Sequence, residues 1–178
     1  AMERMGLGYK DLKKVKPDLI YATISGFGRT GPYADRGGYD LISQGFSSLM
    51  SFTGEPGRDP VKIPVPLCDL NAGMYSALAI LSAMFHRQRA GKGQSIDTSL
   101  TDAGLGYTIW QASQFFPSGK PPVAKGTAHE ISAPYQAFRC ADGYIIFGAS
   151  SPLNWTRMCK EIGREDLLER EEYANPEL

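Results

Sequence analysis

One carboxylate of this sequence, Asp69, has a position that suits covalent chemistry. It lies in the first turn of the most apolar predicted helix, after the segment 64–66 with its two prolines. Its neighbours Cys68 and Leu70 carry no charge. Helix-end amides favour the ionised form of a carboxylate at such a position. The structural alternative is a capping carboxylate, which stabilises a helix by ~0.5–2 kcal/mol. Asp69 is therefore a candidate nucleophile, a candidate cap, or both.

A glycine-rich segment, 26–31, matches the pattern G-x-G-x-x-G and follows a predicted strand. A dinucleotide site would need a helix to begin within the glycines, so that the helix N-terminus meets the pyrophosphate. Pro32 and the pair Gly37-Gly38 follow instead, and no helix can continue there. The segment therefore predicts a loop. An oxidoreductase stays open as an alternative, and a test for NAD(H) binding discriminates it.

Two residues near the N-terminus, Arg4 and Met5, combine a guanidinium with an apolar side chain. Such a pair suits a phosphate and an adenine ring. The structural alternative is a surface arginine next to a core methionine. His86 lies among basic residues at a predicted helix end, and the residues next to His129 in the sequence form no catalytic pattern with it, so structural roles are favoured for both.

Composition excludes several classes of function. The chain has 178 residues, enough for one domain or two small ones, and 19 Lys plus Arg balance 19 Asp plus Glu. A basic nucleic-acid footprint is therefore not expected. The three cysteines are odd in number and far apart, so they match neither a disulfide framework nor a metal site, and they favour a reducing compartment. No continuous run of about 18 apolar residues exists, so no membrane span is expected.

The element that must position Asp69 is the best-defined helix of the sequence. Its apolar residues recur at steps of three and four: Leu67, Leu70, Met74, Leu78, Leu81 and Phe85. Gly91 follows as a candidate C-terminal cap. The pattern predicts a long helix that ends before Gly91 and is buried over 74–85.

The remaining pattern is shorter and rich in loops. Further helices are predicted over 9–15, 39–52, 101–116, 152–162 and 165–173. Strands are predicted over 18–24 and 95–100, together with a hairpin of 134–139 and 144–149 that turns at 141–143. Loops are predicted over 25–38 and 53–66, and a linker begins at Pro117.

Several strings, taken in order along almost the whole chain, resemble the class III CoA-transferase family. That family includes formyl-CoA and carnitine CoA-transferases and the related methylacyl-CoA racemases. The strings are 5–9 (MGLGY), 24–33 (ISGFGRTGPY), 38–40 (GYD), 90–97 (AGKGQSID), 126–129 (GTAH) and 134–138 (PYQAF). Each is weak alone, and their shared order is specific. The resemblance also accounts for the glycine segment as a turn of the family.

The resemblance implies roles for individual residues. The family's catalytic aspartate matches Asp69, within 66–74 (PLCDLNAGM). Arg4 and Met5 fall on CoA-contacting positions, and Tyr39 and Asp40 fall beside the acyl pocket. The implied reaction moves CoA from an acyl-CoA donor to a small carboxylic acid through an aspartyl-CoA thioester. It implies no metal and no permanently bound cofactor, since coenzyme A and acyl-CoA are substrates.

The resemblance also implies the fold, which is α/β. Residues 1–116 are expected to form part of a large Rossmann-like CoA-binding domain, 117–125 a linker, and 126–178 part of a small α+β domain. Family members are substantially longer, so the chain is expected to be a fragment that lacks N- and C-terminal parts. The full-length protein is expected to be a cytoplasmic, interlocked homodimer that binds neither nucleic acid nor a membrane.

Besides the oxidoreductase, two further alternatives to CoA transfer remain. In the racemase branch a histidine precedes the aspartate that aligns with Asp40, and a glutamate aligns with the segment 150–152; this chain has Tyr39 and Ser151 there. Neither is an effective base at neutral pH. A non-catalytic binding or assembly fragment is the alternative of another class. The segment 126–129 replaces the glycine-rich flap of the formyl-CoA branch, so formyl and oxalyl substrates are not inferred.

Overall fold

The computed structural model describes residues 2–173, and they form two compact units. The first unit contains residues 2–53 and 60–122, and the second contains residues 54–59 and 123–173. The domain boundaries predicted at 116 and 126 remain a prediction. The last residues of the predicted small domain, 174–178, lie outside the described part of the chain.

The first unit contains a parallel pair of strands, β1 (Tyr21–Ser25) and β2 (Ser95–Ser99), in which Tyr21 pairs with Ser95. Parallel strands need a long crossover connection. Two helices, α2 (Asp40–Phe46) and α3 (Leu67–Ala90), lie within this crossover, and α1 (Tyr9–Val15) precedes β1. Alternating helices and strands confirm the predicted α/β class. β1 begins later than predicted, because Lys16 and Leu19 close a turn through a backbone hydrogen bond of 3.0 Å.

α3 confirms the predicted long helix. Gly91, at φ 65°, ends it by donating its backbone N–H to the carbonyl of Arg87 at 2.8 Å. A left-handed residue after the last turn is a position that favours glycine.

The predicted burial of α3 over 74–85 is wrong for the described chain. The apolar side chains on its exposed face are 57–63% accessible: Met74, Leu78, Leu81 and Phe85. The buried face instead carries mostly small side chains, among them Cys68, Ala72 and Ala83. α3 is long and apolar enough to cross a membrane, by length and composition only. Core helices of soluble proteins meet the same two criteria. The absence of a membrane span therefore remains a prediction.

Two predicted helices differ from the observed ones. The helix predicted over 39–52 ends at Phe46, because Ser48 has a left-handed φ of 65° and turns follow. The helix predicted over 101–116 is divided into α4 (Leu100–Leu105), a 3₁₀ turn (Gly106–Thr108) and α5 (Ile109–Ser118). Ser99 caps α4 by accepting the N–H of Asp102 at 2.9 Å.

The buried core of the first unit lies beside the N-terminal end of α3. It contains Leu49, Cys68, Ala72, Leu100 and Ala103, with Phe52 and Ile63 packed against it. α3 and α4 approach closely there because Gly104 has no side chain. The core thus fixes the backbone on both sides of Asp69.

The second unit contains the antiparallel hairpin of β3 (Tyr135–Arg139) and β4 (Tyr144–Gly148), which confirms the predicted hairpin. α6 (Pro152–Glu161) follows. The segment predicted as helical over 165–173 forms two 3₁₀ turns, Glu165–Glu169 and Glu171–Tyr173.

Candidate active site

Asp69 lies in the first turn of α3 with an exposed side chain. Cys68 on one side and Ala72 one turn later are fully buried in the core. No other residue within 2–173 donates a hydrogen bond to the Asp69 carboxylate. A carboxylate that is fixed at its backbone and open at its oxygens can approach an electrophile directly.

The cap of α3 comes from Asp40, at the start of α2. One oxygen of Asp40, Oδ1, accepts the backbone N–H of Cys68 at 2.8 Å and that of Asp69 at 3.4 Å. Those amides belong to the first turn of α3, where backbone donors have no partner within the helix. The interpretation of Asp69 as the cap is therefore wrong, because the carboxylate of Asp40 occupies that role.

Asp40 is held in turn by Gln44, one helical turn later on α2. Gln44 is fully buried, and its side-chain Nε2 donates to Oδ2 of Asp40 at 2.6 Å. The other end of the amide, Oε1, accepts the backbone N–H of Ile63 at 2.9 Å. Gln44 thus joins α2 to the chain segment that leads into α3.

The structure places two of the predicted site residues together, Asp40 and Asp69. Tyr39 adjoins Asp40 as the residue before α2, and its side chain is 79% exposed. Their assignment to an acyl pocket stays a prediction.

Arg4 and Met5 lie in a 3₁₀ turn (Glu3–Met5), and both are exposed. Met5 is 61% accessible, so its interpretation as a core methionine is wrong. Glu3 of the same turn forms an ion pair with Arg29, which anchors the turn to the loop after β1. Within the described residues, no hydrogen bond or ion pair joins Arg4 or Met5 to Asp40 or Asp69. Their CoA-contacting roles stay a prediction.

The glycine-rich segment forms a loop, as predicted, and no helix begins in the described stretch between the end of β1 and Asp40. Gly26 and Gly38 approach so closely that a Cβ on Gly26 would lie 2.5 Å from the Cα of Gly38. Asp97 of β2 accepts the backbone N–H of Arg29 at 2.8 Å and holds the loop. The glycines therefore serve close backbone packing, and the helix N-terminus that a pyrophosphate site needs does not follow them.

The thiol next to Asp69 is not a competing nucleophile. Burial, together with the negative charges of Asp40 and Asp69, raises the pKa of the Cys68 thiol to about 11. The thiol is therefore neutral at physiological pH, whereas the thiolate is the reactive form. Among residues 2–173, no group of three or more His, Cys, Asp or Glu side chains is arranged to hold a metal ion.

Comparison with known proteins identifies the family. The family model described as "CoA-transferase family III" matches residues 1–178. The chain belongs to CoA-transferase family III. The resemblance inferred from the ordered sequence strings is thus confirmed.

Relatives within CoA-transferase family III are longer than this chain. A succinate–glutarate CoA-transferase of Agrobacterium fabrum is 40% identical over 174 residues, which are 98% of this chain and 44% of that protein. The human succinyl-CoA:glutarate CoA-transferase is 35% identical over 177 residues, 99% of this chain and 40% of that protein. The crystal structure of a CaiB/BaiF family protein from Brucella suis matches with a TM-score of 0.83 and 42% identity, over 99% of this chain and 47% of that one. The chain spans less than half the length of these relatives.

The sequence did not predict the side-chain network around Asp40. A signal for one contact was present, because Asp40 and Gln44 are four residues apart on a predicted helix, a spacing at which such side chains pair. The contact of Asp40 with α3 joins residues 28 positions apart, and no local pattern predicts it.

Proposed function

We propose that the full-length protein transfers CoA from an acyl-CoA donor to a small carboxylic acid, with Asp69 as the nucleophile. The observation that carries the proposal is the exposed Asp69 carboxylate, which accepts no hydrogen bond from any other residue of 2–173. The cap provided by Asp40 leaves this carboxylate free. Membership of CoA-transferase family III supports the reaction class.

The proposed chemistry has two exchanges at carbonyl carbons. An oxygen of Asp69 attacks the donor thioester, the C–S bond breaks, and CoA leaves as the thiolate. The thiolate then attacks the Asp69 carbonyl of the mixed anhydride, so that an aspartyl-CoA thioester forms and the donor acid leaves. The acceptor carboxylate reverses both steps and carries CoA away. Water must be excluded, since it would hydrolyse the anhydride.

The proposal assigns CoA binding to Arg4 and Met5, and it assigns contact with the acyl group to Tyr39. An exposed guanidinium without an ion pair among the described residues suits a CoA phosphate. Two relatives are named a succinate–glutarate CoA-transferase and a succinyl-CoA:mesaconate CoA-transferase. Small dicarboxylates are therefore the first acceptors to test. No permanently bound cofactor is part of the proposed reaction.

The proposal extends to the state of the full-length protein. We infer a homodimer with a large Rossmann-like domain. The exposed apolar face of α3 supports this inference, because such a face is usually covered by a partner chain or by more of the same chain. A cytoplasmic location is supported by the three cysteines, which are free thiols. The zero net charge supports partners other than nucleic acid.

Trapping the covalent intermediate tests the nucleophile. The full-length protein is incubated with acyl-CoA, treated with hydroxylamine or borohydride, digested and mapped by mass spectrometry. We expect the modification on Asp69, and Asp69→Asn should abolish both the modification and turnover. Asp142→Asn is the matched control, because Asp142 is an exposed carboxylate in the turn of the hairpin. A label on another residue, or full turnover by Asp69→Ala, contradicts the proposal.

A further inference from the structure

Gln44 is the most strongly engaged buried polar side chain near Asp69. We infer, on the basis of the proposed function, that Gln44 is a positioning residue for the Asp69 nucleophile and acts through Asp40. This assignment also gives Asp40 a role directed at the protein backbone rather than at the acyl group.

The contacts of Gln44 join two parts of the first unit, α2 and the segment that leads into α3. Its Nε2 donates to Oδ2 of Asp40 at 2.6 Å and to the carbonyl of Ile63 at 3.1 Å, with a longer contact of 3.4 Å to the carbonyl of Val65. Its Oε1 accepts the N–H of Ile63 at 2.9 Å. A fully buried amide with donors and acceptor satisfied has one arrangement, because any rotation leaves polar groups without partners.

Asp40 connects the fixed side chain of Gln44 to the first turn of α3. With Oδ2 bound by Gln44, the carboxylate plane is fixed and Oδ1 faces the backbone amides of Cys68 and Asp69. Both carboxylate oxygens of Asp40 therefore accept hydrogen bonds from the protein. The hydrogen bond of Gln44 to the Ile63 backbone fixes the approach of the same helix from its N-terminal side.

The consequence for chemistry is geometric. Asp69 is exposed, so its position depends on how well the first turn of α3 is held rather than on contacts of its own side chain. Attack on a thioester needs the reacting atoms at ~3–3.5 Å with aligned orbitals, and a misplacement of about 1 Å can lower a rate about 100-fold. A loosened cap should therefore lower kcat while leaving CoA affinity unchanged.

The decisive variants change one atom each. In Asp40→Asn, the side-chain oxygen can still accept the α3 amides, but the new NH₂ group faces the donor Nε2 of Gln44. In Gln44→Glu, a carboxylate faces Oδ2 of Asp40. The double variant Asp40→Asn/Gln44→Glu places a donor opposite an acceptor again between residues 40 and 44, whereas the donor to the carbonyl of Ile63 stays lost, so recovery is expected to be partial. Gln88→Glu, at an exposed position near the end of α3, is the matched control.

Steady-state kinetics of the full-length variants test the inference, with folding checked by urea unfolding. We expect each single variant to lower kcat by about 10- to 100-fold with an unchanged KM for acyl-CoA and for the acceptor. The double variant should recover part of kcat, as coupled residues do. Amide hydrogen exchange at Cys68 should become faster in Asp40→Asn, and this readout holds even where Gln44→Glu does not fold.

Three results would overturn the inference. A raised KM with unchanged kcat in Asp40→Asn would make Asp40 a substrate contact. Unchanged kinetics in both single variants would make the network purely structural, as would a double variant whose losses simply add. Failure of the proposed function is a separate result, because it would appear as an absence of CoA transfer by the unmodified protein.

Discussion

Two carboxylates beside the start of α3 have different surroundings and are therefore suited to different work. Asp40 is half-buried and accepts hydrogen bonds from Cys68 and Gln44, so its oxygens are engaged by the protein. Asp69 is exposed, and no other described residue donates to its carboxylate. Nucleophilic attack needs an available lone pair, whereas a cap needs an oxygen aimed at backbone donors. Hydrogen bonding separates the two roles.

Arg4 offers a residue-scale test of the proposed CoA site. Arg4→Ala in the full-length protein should raise the KM for acyl-CoA about tenfold or more, because a hydrogen bond to a charged group contributes ~1.5–3 kcal/mol. kcat should change less, since the phosphates lie away from the reacting carbon. Arg157→Ala is the control, because Arg157 is also exposed. An unchanged KM for Arg4→Ala, or a loss confined to kcat, contradicts the assignment.

The sequence singles out Asp69 as a candidate nucleophile, and that role stays a prediction, but it does not predict the side chains that hold the first turn of α3. Asp69 stands in a recognisable string and at a helix start, and both signals are local. The link from Gln44 to Ile63 crosses a loop of irregular structure, and its existence depends on how that loop folds back. Contacts of this kind arise from tertiary packing, so neither hydrophobic periodicity nor residue spacing predicts them.

At the scale of elements, the sequence predicts correctly those helices and strands whose signals lie within one continuous segment. α3 was predicted from its three- and four-residue period and the glycine that ends it. The early end of α2 was not predicted, because the left-handed φ of Ser48 has no signal in that residue type. The sequence overestimates the burial of α3. Apolar residues show that a helix face is able to pack against another element, but they do not show that such an element is present in the described chain.

The contact between α3 and α4 predicts opposite effects for the same substitution at two glycines. A Cβ on Gly104 would lie 2.6 Å from Oγ of Ser47 and 2.9 Å from Sγ of Cys68, both buried. Gly104→Ala should therefore destabilise the protein by ~1–3 kcal/mol through overpacking. Among residues 2–173, nothing lies within 4 Å of a Cβ on Gly73 of α3, so Gly73→Ala should stabilise the protein by ~0.5–1 kcal/mol.

Urea unfolding of the full-length variants measures both free energies. The pair is informative because the helix propensity of alanine favours both substitutions, so destabilisation by Gly104→Ala alone reports packing between α3 and α4. Equal effects at Gly104 and Gly73 would show that α3 and α4 do not approach as described.

At the scale of the whole protein, CoA transfer and racemisation place different demands on the chain. Racemisation next to a thioester needs an acid–base group on each face of the carbon. The aligned positions carry Tyr39, which is exposed, and Ser151. Ser151 caps α6 by accepting the N–H of Asn154 at 3.3 Å. A phenol and an aliphatic hydroxyl are poor general bases at neutral pH, whereas histidine and carboxylate side chains are effective ones.

The full-length protein should therefore transfer CoA without exchanging the α-proton of its substrate. The measurement uses a 2-methylacyl-CoA in deuterated water, with a carboxylic acid acceptor present, and follows α-deuterium by mass spectrometry alongside formation of the new thioester. We expect transfer at the enzymic rate and deuterium only at the rate seen without protein. Asp69→Asn is the control for both signals, because it removes the carboxylate that either reaction would use. Deuterium incorporation at a rate comparable with turnover, and lost in Asp69→Asn, would make the protein a racemase and overturn the proposed transfer.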